Sequence, residues 1–282
     1  MFKHPTLLFL ICFLSLGTMA QEKTDSKKPS NKGSIYAFWG WNRSWYSHSD
    51  IHFTGDQYNF TLNQVKATDR QSPFGIDPYF NLGRITIPQT NVRAGYFIND
   101  HYDISIGYDH MKYVVVQHQF AKVTGTIRNG SEYDGNYNGE AVKLDYEFLI
   151  FEHTDGLNYI DVEFTRNDDL LELLKIPHNY NKIQVNTMVG IGSGVVFPRS
   201  NVTLLNGERY DEFHVAGYGF STKAGLNITL LKHLFFRSEL KYGFINMPDI
   251  RTSPSTSDKA SQHFLFIQSN FCFGYTFNPF KN

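Results

Sequence analysis

The sequence predicts an all-β fold: a transmembrane, up-and-down antiparallel β-barrel of eight strands with long outer loops, ten strands being the alternative count. Three observations lead there. Long segments alternate with period 2, the signature of strands. One face of the alternation is apolar while the other carries Gly, Asn, Lys and Glu; in a membrane barrel the first meets lipid and the second the lumen, the reverse of a soluble sandwich. Aromatic residues are abundant, with 25 Phe, 17 Tyr and 3 Trp in 282 residues. They crowd the strand ends at Trp39, Trp41, Trp45, Tyr46, Tyr102, Tyr275 and Phe277, as an interfacial girdle would.

Residues 1–20 read as a secretory signal peptide. Lys3 and His4 precede an apolar run from Leu7 to Leu16, which ends in Thr18-Met19-Ala20. That run is shorter than the roughly 20 residues a spanning helix needs. Bulky Ile11 before Cys12 does not suit a lipoprotein cysteine. Residues 21–33 are polar and charged and form a flexible leader, so the barrel domain is 34–282. With 26 Lys and Arg against 27 Asp and Glu, the formal net charge of -1 gives no basic footprint for nucleic acid. Two cysteines, Cys12 and Cys272, exclude a disulfide scaffold and a four-cysteine zinc site.

The strands are expected at 34–46, 89–98, 102–117, 157–166, 182–197, 213–230, 234–246 and 263–277. In the fifth, Ile183, Val185, Val189, Ile191 and Val195 alternate with Gln184, Asn186, Gly190, Gly192 and Gly194. In the seventh, Phe236, Leu240, Tyr242 and Phe244 oppose Arg237, Glu239, Lys241 and Gly243. Tight turns fall at 99–101 and 231–233, long outer loops at 47–88, 118–156, 198–212 and 247–262. The connection 167–181 carries Leu170, Leu171, Leu173 and Leu174, a spacing that predicts a short helix. Residues 140–152 also alternate and are expected as a hairpin rising above the membrane; if they span it, the count becomes ten.

Projected inward, the pattern gathers Arg93, Lys223, Arg237 and Lys241 with Asp103, Asp109, Asp161, Glu163 and Glu239. Eight strands leave an interior just wide enough for side chains. These charges are therefore expected to pair into a structural network, since buried charge is tolerated only when compensated. The run Gly190-Ile191-Gly192-Ser193-Gly194 fails as a nucleotide loop, because Val195 stands where a glycine is needed and no helix follows. Of five glycosylation-type sequons, at Asn42, Asn59, Asn129, Asn201 and Asn227, two fall on the lumen face.

This alternation and loop spacing resembles the small eight-stranded outer-membrane barrels of Gram-negative bacteria, the OmpA/OmpX-like, OmpW-like and lipid A deacylase (PagL-like) group. The resemblance covers 34–277 as architecture and carries no diagnostic motif. It implies location in the cell outer membrane after cleavage of the signal peptide. It also implies contact with outer-membrane lipid or lipopolysaccharide, and insertion by machinery that reads a C-terminal aromatic. Phe273, Tyr275 and Phe277 fit that signal, although five residues follow them.

Lipid hydrolases of the group carry His-x-Ser-Asn at the outer rim, His as base and Ser as nucleophile. Here His153 is followed by Thr154 and then Asp155 at the serine position, so the catalytic candidates are His153, Thr154 and Asp155, with acyl hydrolysis as the alternative function. Thr154-Asp155-Gly156 also makes good turn chemistry. His48, Asp50 and His52 share one face of a strand tip and are weak metal candidates. Arg43, Lys66, Arg70 and Arg84 are candidates for lipid phosphates. No cofactor is expected. The primary expectation is a structural or surface-binding barrel. Passage of small hydrophobic molecules in the OmpW-like manner is the weaker alternative, disfavoured by the charged lumen.

Overall fold

The computed structural model describes residues 28–84 and 87–280; the expected signal peptide lies outside them. Eight strands close a ring: Ile35–Tyr46 (β1), Thr90–Phe97 (β5), Tyr102–Val115 (β6), Leu149–Asp169 (β9), Ile183–Val196 (β10), Gly217–Leu230 (β13), Leu234–Arg251 (β14) and Lys259–Phe277 (β15). Each pairs antiparallel with the next, and β15 closes on β1 from Ile35↔Phe277 to Tyr46↔Phe266. A closed barrel satisfies every strand edge internally, the condition for crossing lipid with strands.

The outer surface of this ring is apolar: Val189, Ile191, Leu240 and Phe271 are each more than half exposed. In water such a band would be a large aggregation-prone patch; against lipid it is the solvated face. Trp39 packs edge-on against Phe273 on the same face.

One end of the ring is closed by short connections. In the first, Asn99 Oδ1 accepts from the backbone N–H of His101 and Tyr102, each at 2.9 Å, which turns the chain without glycine. In the second, the three residues 231–233 make the turn: Leu231 and Lys232 both take positive φ, and His233 N–H donates to the Leu230 carbonyl at 3.2 Å. The third holds the expected short helix, Leu170–Leu173, capped by Asp169, whose carboxylate accepts from Glu172 N–H at 3.0 Å. Both described chain ends lie at this turn end, where Asn278 Nδ2 donates to the Lys32 carbonyl.

The opposite end is built up rather than looped. Ser49–Gly55 (β2), Tyr58–Val65 (β3), Gln119–Ile127 (β7) and Gly135–Leu144 (β8) extend the sheet in the order β15-β2-β3-β7-β8. Ala67–Thr68 (β4) pairs with β6; Arg199–Leu204 (β11) pairs with β9 and with Tyr210–Phe213 (β12). Together with the raised parts of β6, β9, β14 and β15 they form a cap. Its core includes Ile51, Phe53, Phe60, Leu62, Phe148 and Phe151, all at most 1% exposed.

Several sequence expectations are corrected here. The stretch 140–152 is not a hairpin: 140–144 belongs to β8, which pairs with β7, and 149–152 opens β9. The ring has eight strands, not ten, because these segments find partners above the lipid-facing band. The expected outer loops contain paired strands, and the loop between β14 and β15 shrinks to 252–258. The sixth barrel strand starts at Gly217, since 210–213 pairs with β11 instead.

Candidate functional site

The middle of the barrel holds a buried ion network. Arg93 Nη2 meets Asp161 Oδ1 at 2.5 Å and Glu163 Oε1 at 3.1 Å, with Asp109 at 4.0 Å. Lys241 Nζ contacts Asp109 at 2.5 Å, Glu163 at 2.8 Å and Asp161 at 3.2 Å. Lys223 Nζ joins Glu163 at 2.5 Å to Glu239 at 3.4 Å. Three cations and four carboxylates thus share one cluster, and each of these side chains is at most 2% exposed. Neighbouring amides complete the shell: Asn91 Nδ2 donates to Asp109 at 2.6 Å, and Asn270 Nδ2 to Glu239 at 3.0 Å.

Small residues make the space. A Cβ at Gly107 would fall inside the Arg93 guanidinium, and one at Gly192 would sit 2.9 Å from Glu163 Cγ. The glycine run that fails as a nucleotide loop therefore faces the lumen charges.

Asp103 and Arg237, also projected into the lumen, lie one layer nearer the turn end and outside the cluster. Asp103 accepts from the Tyr36 hydroxyl at 2.6 Å and from Asn167 Nδ2 at 2.7 Å. Arg237 is boxed by the rings of Tyr36, Phe38 and Phe235, 4.8–5.2 Å from its guanidinium carbon. Stacking of this kind suits the planar, weakly hydrated guanidinium. Above the cluster the lumen turns apolar: Tyr159, Ile245, Met247 and Phe266 are at most 1% exposed and merge with the cap core. The barrel bore is thus filled by an ionic layer beneath an apolar one.

His153, Thr154 and Asp155 do not converge. Strand alternation sends His153 into the cap core with no exposed surface, while Asp155 faces solvent and meets Arg199 at 3.1 Å. The hydroxyl that does reach the imidazole comes from Ser200, whose Oγ lies 2.9 Å from His153 Nδ1. The two residues are 47 apart in sequence, and only the β9–β11 pairing brings them together. With Ser200 at 3% exposure and the tilted ring of Tyr113 beside the imidazole, this pair presents no face to a lipid ester.

Burial alone pushes the His153 imidazole down to about 3. Its unfolded counterpart titrates near 6.5. The neutral form is the one the cap accepts, so its contribution is complete above about pH 6.5 and lost as pH falls towards 3. Cap stability is expected to decline by about 1.4 kcal/mol per pH unit through that window. Urea unfolding at pH 7 and pH 5 checks this: His153→Gln, which keeps a partner for Ser200, should flatten the difference between the two pH values.

His48, Asp50 and His52 are not gathered as a group of ligands. Asp50 accepts from the backbone N–H of Gln64 at 2.8 Å, and His52 Nδ1 bonds Thr61 Oγ1 at 2.9 Å. No group of three potential ligands gathers among the described residues. Asn42 and Asn227 are buried in the lumen, as the alternation places them.

Outside the wall, residues 74–80, between β4 and β5, fold back over β1. Tyr79 and Phe80 pack on the outward ring of Trp41, at 5.9 and 5.3 Å, beside Trp39 and Phe273. The same segment leaves Phe74 and Ile76 more than 80% exposed. Of the basic residues, Arg70 pairs with Glu152 at 2.9 Å and Arg84 with Asp77 at 3.0 Å; Arg43 and Lys66 are exposed.

No family model matches the sequence, and no curated protein matches it. Among solved structures the chain is similar to the outer membrane protein OprG from Pseudomonas aeruginosa, at 9% identity over 88% of this chain and 97% of that one, with a TM-score of 0.36. It is similar also to Ail, the attachment invasion locus protein of Yersinia pestis, at 10% identity, 87% and 99% coverage and a TM-score of 0.32. The outer membrane protease OmpT from Escherichia coli gives 8% identity, 90% and 100% coverage and a TM-score of 0.35. Small outer-membrane β-barrels are what this chain is similar to, and its own closed ring of eight strands is what establishes the fold.

Proposed function

We propose that this chain is an integral outer-membrane protein in which the barrel is a sealed anchor and the cap is the surface-exposed, structural or binding part. One observation carries the reading. The bore is occupied by an ion cluster and then by an apolar core continuous with the cap. A conducting barrel needs water along its axis, and barrels that provide it use about 16–18 strands. The short turns then face the periplasm and the cap the exterior, following the usual asymmetry of such barrels.

The outer-leaflet partner in this reading is lipid or lipopolysaccharide. Residues 74–80 continue the lipid-facing aromatic surface through Trp41, so Phe74 and Ile76 extend into acyl chains, with Arg43 and Lys66 available to phosphates. Insertion depends on the usual barrel-assembly machinery, with Phe273, Tyr275 and Phe277 as the terminal aromatic signal.

Three single cysteines test the arrangement in one experiment, because Cys272 is fully buried. A membrane-impermeant maleimide on intact cells should label Glu132→Cys, in the β7–β8 turn. Leu173→Cys, at the turn end, should react only after permeabilisation. Ile76→Cys should resist both treatments and react once detergent replaces lipid. Labelling of Leu173→Cys on intact cells would reverse the orientation, and ready labelling of Ile76→Cys there would remove the lipid contact.

A further inference from the structure

At the turn end, below the ion cluster, the barrel holds a cavity of about 420 Å³. That lies within the roughly 300–1,000 Å³ of small-molecule sites. We propose that this cavity binds a small, singly anionic solute of monosaccharide size, with its negative group on Arg237 and its hydroxyl and amide groups on the lumen amides.

Charge is the first argument. Arg237 lines the cavity at 3% exposure, yet no carboxylate lies within ion-pair reach of it among the described residues. Its Nε donates to Asn227 Oδ1 at 3.2 Å, and aromatic rings occupy its faces. The nearby carboxylate of Asp103 is already held by Tyr36 and Asn167. Lys232 and His233 also line the cavity, and no Asp or Glu does. A buried guanidinium without a carboxylate, in a cavity whose charged lining groups are the cations Arg237 and Lys232, favours an anion. Only one of those cations is buried, which argues for a single charge rather than a polyanion.

The neutral lining sets the rest of the ligand. Gln184, Asn186, Asn227 and Thr229 offer both donors and acceptors. Tyr36, Phe97 and Phe235 present ring surface beside them. Amides for hydroxyl and acetamido groups, with rings for the apolar face, match a sugar acid better than an inorganic ion. Under the orientation proposed above the ligand would come from the periplasm, but the binding measurement in detergent is independent of that reading.

The test is calorimetry on the full barrel refolded in detergent, with folding verified by the heat-dependent gel shift. N-acetylmuramic acid, a hexosamine bearing a lactyl carboxylate, is the probe and N-acetylglucosamine its neutral counterpart. The acid should bind saturably and about tenfold more tightly than the neutral sugar, the size of one charge-assisted hydrogen bond. Arg237→Gln should erase that preference. Because loss of Arg237 can also prevent folding, Asn186→Leu, outside the ion cluster, supplies a second arm: it should weaken the acid severalfold while the gel shift persists. No saturable binding of the acid, equal affinity for the two sugars, or a folded Asn186→Leu barrel that binds unchanged would each overturn the proposal.

Discussion

Replacing Lys241 with methionine is expected to lower the unfolding free energy of the refolded barrel by about 3–5 kcal/mol, the usual cost of removing one partner from a buried ion pair. The reason is geometric. Lys241 Nζ is fully buried and touches three carboxylates, Asp109, Asp161 and Glu163, within 3.2 Å. Arg93 and Lys223 would remain against four carboxylates, one of which, Asp109, only Lys241 holds close. Without Lys241, the only cation near Asp109 among the described residues is Arg93 at 4.0 Å, beside the Asn91 amide. The intact cluster need not be more stable than an apolar filling of equal shape; what is expensive is half of it. Urea titrations in detergent, comparing Lys241→Met with a surface Lys66→Met control, read the effect. A loss below about 1 kcal/mol would mean that water reaches the cluster, as it does in exposed pairs.

Phe60→Ala is expected to cost about 3–5 kcal/mol as well, in the range of large-to-small core substitutions, but in the cap rather than the barrel. Phe60 is 1% exposed; it stacks on Phe53 at 5.2 Å and meets Phe148 edge-on at 6.2 Å. Truncation leaves a cavity between β2, β3 and the start of β9 that rigid strands cannot close. Limited proteolysis should then cut the 119–144 region of the variant far faster than in wild type. The heat-dependent gel shift, which reports the barrel, should remain. Loss of both together would show that cap and barrel fold as one cooperative unit.

The barrel was legible in the sequence because lipid imposes a strict rule: one face apolar, the other not. All eight strands follow from it, and so do the nine lumen charges. The cap was not legible as strands because the rule inverts along the same chain. Along β14 the inward set runs Arg237, Glu239, Lys241, then Ile245 and Met247; along β9, read upward from the turn end, it runs Glu163, Asp161, then Tyr159, Leu157 and Phe151. Alternation persists while its polarity changes sides, since above the lipid the outside is water and the inside must be dry. That change marks the height at which each strand leaves the membrane, and it could have been read from β14 alone. The Ser200–His153 contact could not, because a pairing across 47 residues has no local signature. Nor could the fold-back of Tyr79 and Phe80 onto Trp41, where a loop segment covers a strand's lipid face.

The central claim is that the bore is closed, and ion conductance in planar bilayers tests it most directly. Refolded wild-type protein, at neutral pH and under applied voltage, is predicted to give no stable open-channel steps. Reproducible steps from gel-shift-positive protein would contradict the sealed anchor and place a water path through the Arg93–Glu163–Lys241 layer.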